Sequence, residues 1–183
     1  MTIFNVLAKI FSTLFSSEND NEESCDIMQK IDESKVECIN QSTYHTVKHL
    51  IQNSNAIELN YNKYLESGSD ELLLIHIPFV EEVHLTQIEF FAPQDDSCPQ
   101  LVKLFVNKQD MNLDDALSTK PQKDIGLSHS DVTEKNPTPF NLGSRKFSNV
   151  STLSILVQDN YGGDSTKLYA VRFSGKALGK DFE

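Results

Sequence analysis

Tryptophan is absent from this 183-residue chain, and five tyrosines remain, so an aromatic platform for stacking a sugar ring is poorly supplied. Cysteine is scarce. Cys25, Cys38 and Cys98 are the three present, with no C-x-x-C redox pair and no paired metal-ligand spacing, which argues against thiol–disulfide catalysis. Their odd number and low density also argue against a disulfide-stapled secreted scaffold and for a reducing compartment, the cytosol or nucleus. Basic residues are outnumbered, 16 Lys and Arg against 27 Asp and Glu, for a net charge of −11. That balance repels phosphate backbones and argues against nucleic-acid binding. The apolar N-terminal run, residues 2–15, falls short of the ~20 residues that span a bilayer. Lys9 interrupts it and acids follow it where a cleavage site would stand, so neither a membrane segment nor a secretory signal is expected. Also missing are G-x-S-x-G, P-loop, G-x-G-x-x-G and H-E-x-x-H motifs, and with them the local settings of common catalytic centres.

What is present reads as one folded domain with a short extension. Hydrophobic residues make up 38% and charged residues 23%, the balance of an ordinary globular protein. Ile3, Leu7, Ile10 and Leu14 fall at helical spacing, with Phe4, Ala8, Phe11 and Phe15 beside them, which predicts an N-terminal amphipathic helix. Glu18, Asp20, Glu22, Glu23 and Asp26 then form an acidic linker. The expected organisation is helix and linker over 1–26, a domain over 27–178, and a short tail over 179–183.

From Ile27 onward, short alternating segments bounded by turn residues predict strands. Ile57, Leu59 and Tyr61 alternate with Glu58 and Asn60. Leu73, Ile75, Ile77 and Phe79 share one face of the next strand, with His76 on the other. An acidic turn then leads to a strand over Val83–Phe91. Further strands are read at Leu101–Val106, Val150–Val157 and Leu168–Phe173. The helical exceptions are Thr43–Gln52, capped by Ser42, and a turn at Asn112–Leu117. Gly162 and Gly163 suit a hairpin across residues 159–164, and Pro121, Pro137 and Pro139 mark a long crossing connection or edge strand. Many short antiparallel strands with one long crossover predict an all-β fold, a jelly-roll β-sandwich.

Two constellations could carry chemistry. His45 and His49 share the i, i+4 spacing of a metal pair, but no third ligand follows at zincin spacing, so no metal or cofactor is assigned. His76, His84 and His129 are scattered. Acidic pairs recur in loops: Asp70 with Glu71, Asp95 with Asp96, Asp114 with Asp115, and Asp159 with Asp164. Clustered carboxylates can hold a structural calcium. The preferred reading is a solvated rim that keeps sheet edges apart. Asp70, Glu71, Asp95, Asp96, Asp159 and Asp164 are the candidate partner-binding residues.

Glu37-Cys38-Ile39-Asn40, Glu66-Ser67-Gly68-Ser69-Asp70-Glu71-Leu72-Leu73 and Ile77-Pro78-Phe79 resemble the opening blocks of the PITH domain, the proteasome-interacting C-terminal domain of thioredoxin-like proteins. Lys103-Leu104-Phe105-Val106-Asn107 with Met111 to Ala116, Lys146-Phe147-Ser148-Asn149-Val150, and Asn160-Tyr161-Gly162-Gly163 to Lys167 resemble later blocks in the same order. The similarity covers about 31–175, with Cys38, Asn40, Pro78, Phe79, Phe147, Asn149, Val150 and Gly162 as signature positions. It implies a galactose-binding-like jelly roll without enzyme activity, in a cytoplasmic or nuclear protein whose thioredoxin-like relatives associate with the 26S proteasome regulatory particle. The sequence contains no thioredoxin segment and is closest in character to stand-alone PITH-domain proteins. A monomeric protein-interaction module is the expectation, and a small-ligand or carbohydrate-binding sandwich with a structural cation is the alternative.

Overall fold

Apolar residues alternate from Leu73 onward, and in the computed structural model they form one strand of 19 residues, β4 (Leu73–Phe91). The structure describes residues 25–133, 135–143 and 145–179. The N-terminal helix and most of the linker expected over 1–26, together with residues 180–183, lie outside the described residues. The other strands are β1 (Cys25–Asp26), β2 (Glu37–Ile39), β3 (Leu65–Glu66), β5 (Pro99–Val106), β6 (Lys123–Gly126), β7 (Phe140–Asn141), β8 (Val150–Asn160), β9 (Lys167–Leu168) and β10 (Ala170–Ala177). Two helices, α1 (Val47–Ser54) and α2 (Leu113–Ser118), join them. β1 brings Cys25 and Asp26 into the sheet beside Gly175 and Ser174, two residues before the expected domain boundary.

β4 serves two leaves of the sandwich. Its first half pairs with β2 on one side and β8 on the other, and β8 continues to β5 and the edge strand β6. Its second half pairs with β10 and β7. Register with β8 breaks between Pro78 and Val83, where Pro78 has no N–H to donate and Val80 turns outward, 61% exposed. The acidic turn expected at Glu81 and Glu82 is therefore a bend within a continuous strand. Leu73, Ile75, Ile77 and Phe79 face the main core, as alternation predicts; Val83 and Leu85 keep that phase, and after the register shift opposite Gly175 the phase changes so that Ile88 and Phe90 face the same core. β10 crosses β4 with a register shift at Gly175, where a Cβ would collide with the His84 carbonyl oxygen, so only glycine fits. Leu74, Phe105, Met111, Ala116 and Leu156 form a smaller outer cluster with Leu113 of α2 packed on it. The proline-rich stretch supplies both an edge strand, β6, and a crossing connection that includes β7, in line with its composition.

Three further expectations need correction. No strand runs through Ile57, Leu59 and Tyr61; the chain turns there and Ile57 is 99% exposed. Buried Asn53 is the cause: its Nδ2 donates to the Asn60 and Lys63 carbonyls at 3.1 and 2.7 Å, and its Oδ1 accepts from Asn60 N. Those bonds fold the segment back on α1 and occupy groups that a ladder would use. The helix expected from Thr43 starts at Val47, with Thr46 at the cap position. Ser42 Oγ instead accepts from His45 N, and Gln41 Oε1 takes the Val47 N–H at 2.7 Å. Finally, residues 159–164 are no hairpin. β9 pairs with β3 and β10 with β4, so after β8 the chain leaves the sheet for β9 and returns as β10 on the far side of β4.

Candidate functional site

Three of the four acidic pairs named in the sequence lie on loops that meet at one end of the sandwich, and two buried side chains organise the meeting. Asn160, at the end of β8, donates from Nδ2 to the Gly163 and Ser165 carbonyls at 3.0 and 3.1 Å, while its Oδ1 accepts from Gly162 N. Gly162 takes φ +96° in that turn, a conformation that suits glycine. Gly163 lies against the neighbouring loop and donates its N–H to Asp96 O at 3.0 Å. A Cβ on Gly163 would stand 2.8 Å from that same oxygen. Fully buried Thr166 donates from Oγ1 to the Glu71 carbonyl at 2.7 Å, and its N–H reaches Ser67 Oγ. These bonds tie the Glu66–Glu71, Asp95–Cys98 and Asp159–Lys167 loops into one surface.

Individual carboxylates play different parts there. Asp70 Oδ1 accepts from Asn40 Nδ2 at 2.6 Å and from Leu72 N at 3.0 Å, closing its own loop. Asn40 sits at φ 65°, one of the few positive values outside glycine, and its Oδ1 receives Ser69 Oγ. Asp95 accepts from Ser97 Oγ and N; the serine hydroxyl holds this carboxyl below the usual carboxylate range against the opposing effect of burial. Glu71 contributes its backbone. Asp159 Oδ1 accepts the N–H of Asn160, and Asp96, Asp159 and Asp164 stand exposed. Asp114 and Asp115 lie elsewhere, on α2, where Asp115 completes a capping box with Asn112. Beside the acidic loops, the rings of His129 and Tyr161 lie 4.2 Å apart, and His129 Nε2 is 3.1 Å from Asp95 O. Among the described residues, no three His, Cys, Asp or Glu side chains converge to hold a metal.

The signature positions are placed as parts of the frame. Burial pushes the Cys38 thiol on β2 up to about 12, and Cys98 reaches about 12 through burial and then Asp95 and Asp131. Neither thiol is a nucleophile at neutral pH. Pro78 O accepts from Asp32 N at 2.9 Å, and Phe79 meets Phe173 edge-on. Phe147 and Val150 are buried, and Asn149 Nδ2 donates to Glu82. Sequence reasoning missed Asn107, at φ 55°, whose Oδ1 accepts from Ser151 N and Oγ and from Thr152 N. Only its polarity inside a turn-like run could have signalled it. His76, whose place in a strand pattern predicts a hydrogen-bonded histidine, is one, with its ring nitrogens 2.8 Å from Ser154 Oγ and 3.0 Å from Met111 O. His45 stacks on Tyr64 at 3.8 Å, 6.1 Å from the His49 ring. No helix among the described residues is long and apolar enough to cross a membrane.

The fold is that of a galactose-binding-like β-sandwich, as its solved neighbours make plain. The CBM32-1 and CBM32-2 domains of Clostridium perfringens ZmpB in complex with GalNAc superpose with a TM-score of 0.58 at 12% identity, covering 85% of this chain and 37% of that one. The striped bass (Morone saxatilis) serum fucolectin gives 0.58 at 10% identity, over 87% of this chain and 51% of that one. The chain belongs to the PITH domain family, whose model matches residues 17–182. PITH domain-containing protein CG6153 of Drosophila melanogaster is 34% identical over 147 residues, 80% of this chain and 67% of that protein. PITH domain-containing protein 1 of Danio rerio is 34% identical over 152 residues, 82% and 70% of the two chains. Thioredoxin-like protein 1 of Schizosaccharomyces pombe is 31% identical over 156 residues, which is 81% of this chain but 50% of that one.

Proposed function

We propose that this chain is a noncatalytic protein-interaction module that docks, as a monomer in the cytosol or nucleus, on the regulatory particle of the 26S proteasome. The observation that carries the reading is the family match over 17–182, which takes in a thioredoxin-like relative. The resemblance set out above implies regulatory-particle association for such relatives. The use of polar residues also supports binding over catalysis. Asn160, Thr166, Asp70, Asp95 and His76 direct their side chains at the protein's own backbone and hydroxyls, whereas a catalytic group must be aimed at a substrate. The carbohydrate reading has fold likeness behind it, at 10–12% identity, and fold alone does not transfer function.

The test is migration of the purified chain with purified 26S proteasomes on native gels, at low and moderate salt. Saturable co-migration that survives moderate salt is expected. Its clean absence in both buffers would overturn the regulatory-particle assignment.

A further inference from the structure

Ile57-Glu58-Leu59-Asn60-Tyr61 is an apolar alternation that the fold leaves outside its sheets. Ile57 is 99% and Tyr61 42% exposed. A lone exposed isoleucine on a mobile loop needs no explanation, but this loop is pinned. Asn53 holds it at Asn60 and Lys63, and Arg172 Nη2 donates to the Ala56 carbonyl at 2.7 Å. Tyr61 packs edge-on to Tyr169 at 5.1 Å, and Tyr169 to Tyr64 at 6.5 Å. A groove of about 300 Å³ opens beside it, lined by Ile57, Glu58, Leu59, Tyr61, Phe91 and Arg172. Rigid apolar and aromatic groups with an arginine are the composition of binding hot spots, where little ordering entropy remains to be lost.

Charge selects the occupant. The Arg172 guanidinium lies 4.9 Å over the Phe91 ring, bonds to Ala56 O and interacts with Glu89. Glu58 is exposed on the groove wall with no hydrogen bond or ion pair among the described residues. The unanswered charge is negative. We propose that this groove docks a protein partner through an apolar side chain flanked by lysine or arginine. A second copy of a chain with net charge −11 answers Glu58 poorly, and residues 1–24 offer Lys9 alone among four acids. The inference deepens the docking reading above and rests on it for the biological partner.

The test uses the full chain in two arms. In the first, ¹⁵N-labelled protein is titrated with an end-blocked Leu-Lys-Leu-Lys-Leu peptide and with its Glu counterpart. Amide shifts should centre on residues 56–61 and Arg172. They should be at least about threefold stronger with the lysine peptide and vanish in Ile57→Asp, which keeps its fold because Ile57 is exposed. No shifts, equal shifts from both peptides, or shifts elsewhere overturn the groove. So does a sedimenting dimer that Ile57→Asp dissociates, or movement of the 56–61 amides in Leu7→Asp/Phe11→Asp without peptide. In the second arm, capture by purified 26S proteasomes should fall about tenfold in Ile57→Asp and hold in Val80→Asp. Equal capture of wild type and Ile57→Asp overturns the groove and spares the regulatory-particle assignment. No capture alongside intact lysine-peptide shifts overturns that assignment and upholds the groove.

Discussion

At the scale of single residues, polar side chains in this protein mostly answer their own backbone, and their protonation is tied to folding for that reason. Asp95 shows the sign. Its carboxylate accepts from Ser97 N at 2.9 Å and Oγ at 2.5 Å, and the hydroxyl is the chief reason its pKa lies below the ordinary value. A group with a depressed folded pKa contributes stability above its unfolded pKa, near 4, and loses it as pH falls through the folded value. Ser97→Ala should therefore lower the urea midpoint at about pH 7 and have a smaller effect at about pH 2.5, as proton uptake by the carboxyl removes the charged acceptor. Urea titrations at the two pH values check this; an equal loss at both would mean that Ser97 acts through packing alone. The effect is modest because Asp95 is exposed and water screens it. The absence of a close cysteine pair was readable from number and spacing, but thiol burial was not: Cys25 on β1 is exposed, and Cys98, just before β5, is fully buried.

At the scale of elements, the crossover after β8 shows how the same residues carry two meanings. Gly162 and Gly163 look like a hairpin, and Gly162 does take a positive φ. What decides the path is Thr166, which is fully buried between Ser67 and Glu71 and draws β9 toward β3 instead of toward β8. Thr166→Val keeps the shape, removes the Oγ1 bond to Glu71 O, and leaves that carbonyl and Asn160 Nδ2 short of a partner. The expected loss is about 2 kcal/mol, measured by chemical denaturation, and a loss near zero would show that water replaces the hydroxyl. Asn53 makes the same point for residues 57–61. The alternation there satisfies the rule for a strand, yet one buried side chain four residues upstream of Ile57 claims the backbone. Periodicity reports which residues could share a face, and competition from local side-chain bonds decides whether a ladder forms.

At the scale of the whole molecule, a net charge of −11 gives the sandwich a field that acts before contact. Asp96, Asp159 and Asp164 stand exposed on loops joined through Asn160 and Gly163. If the proposed docking on the regulatory particle is steered by this field, replacing all three with asparagine should slow that association by about threefold or more at low ionic strength, with the difference shrinking as salt rises. Stopped-flow or surface-based association rates check this, and rates equal to wild type at low salt would remove the steering role.

The sequence by itself determined that the chain builds strands with one buried face, that it has no close thiol pair, that it is acidic, and through its ordered blocks that it is a PITH domain. Those properties are local: composition, spacing and alternation survive without knowledge of what lies opposite. The tertiary structure alone decided that β4 runs unbroken through both leaves, that β8 and β10 never pair, that Asp70 and Asp95 close their own loops, and that Ile57 faces solvent. The strand paths depend on partners distant in sequence, such as Thr166 beside Glu71 or Gly175 beneath His84, whereas Asp70, Asp95 and the Ile57 turn are set by local side-chain bonds that alternation does not report. Hydrogen-bond satisfaction and close packing choose among the paths that periodicity leaves open.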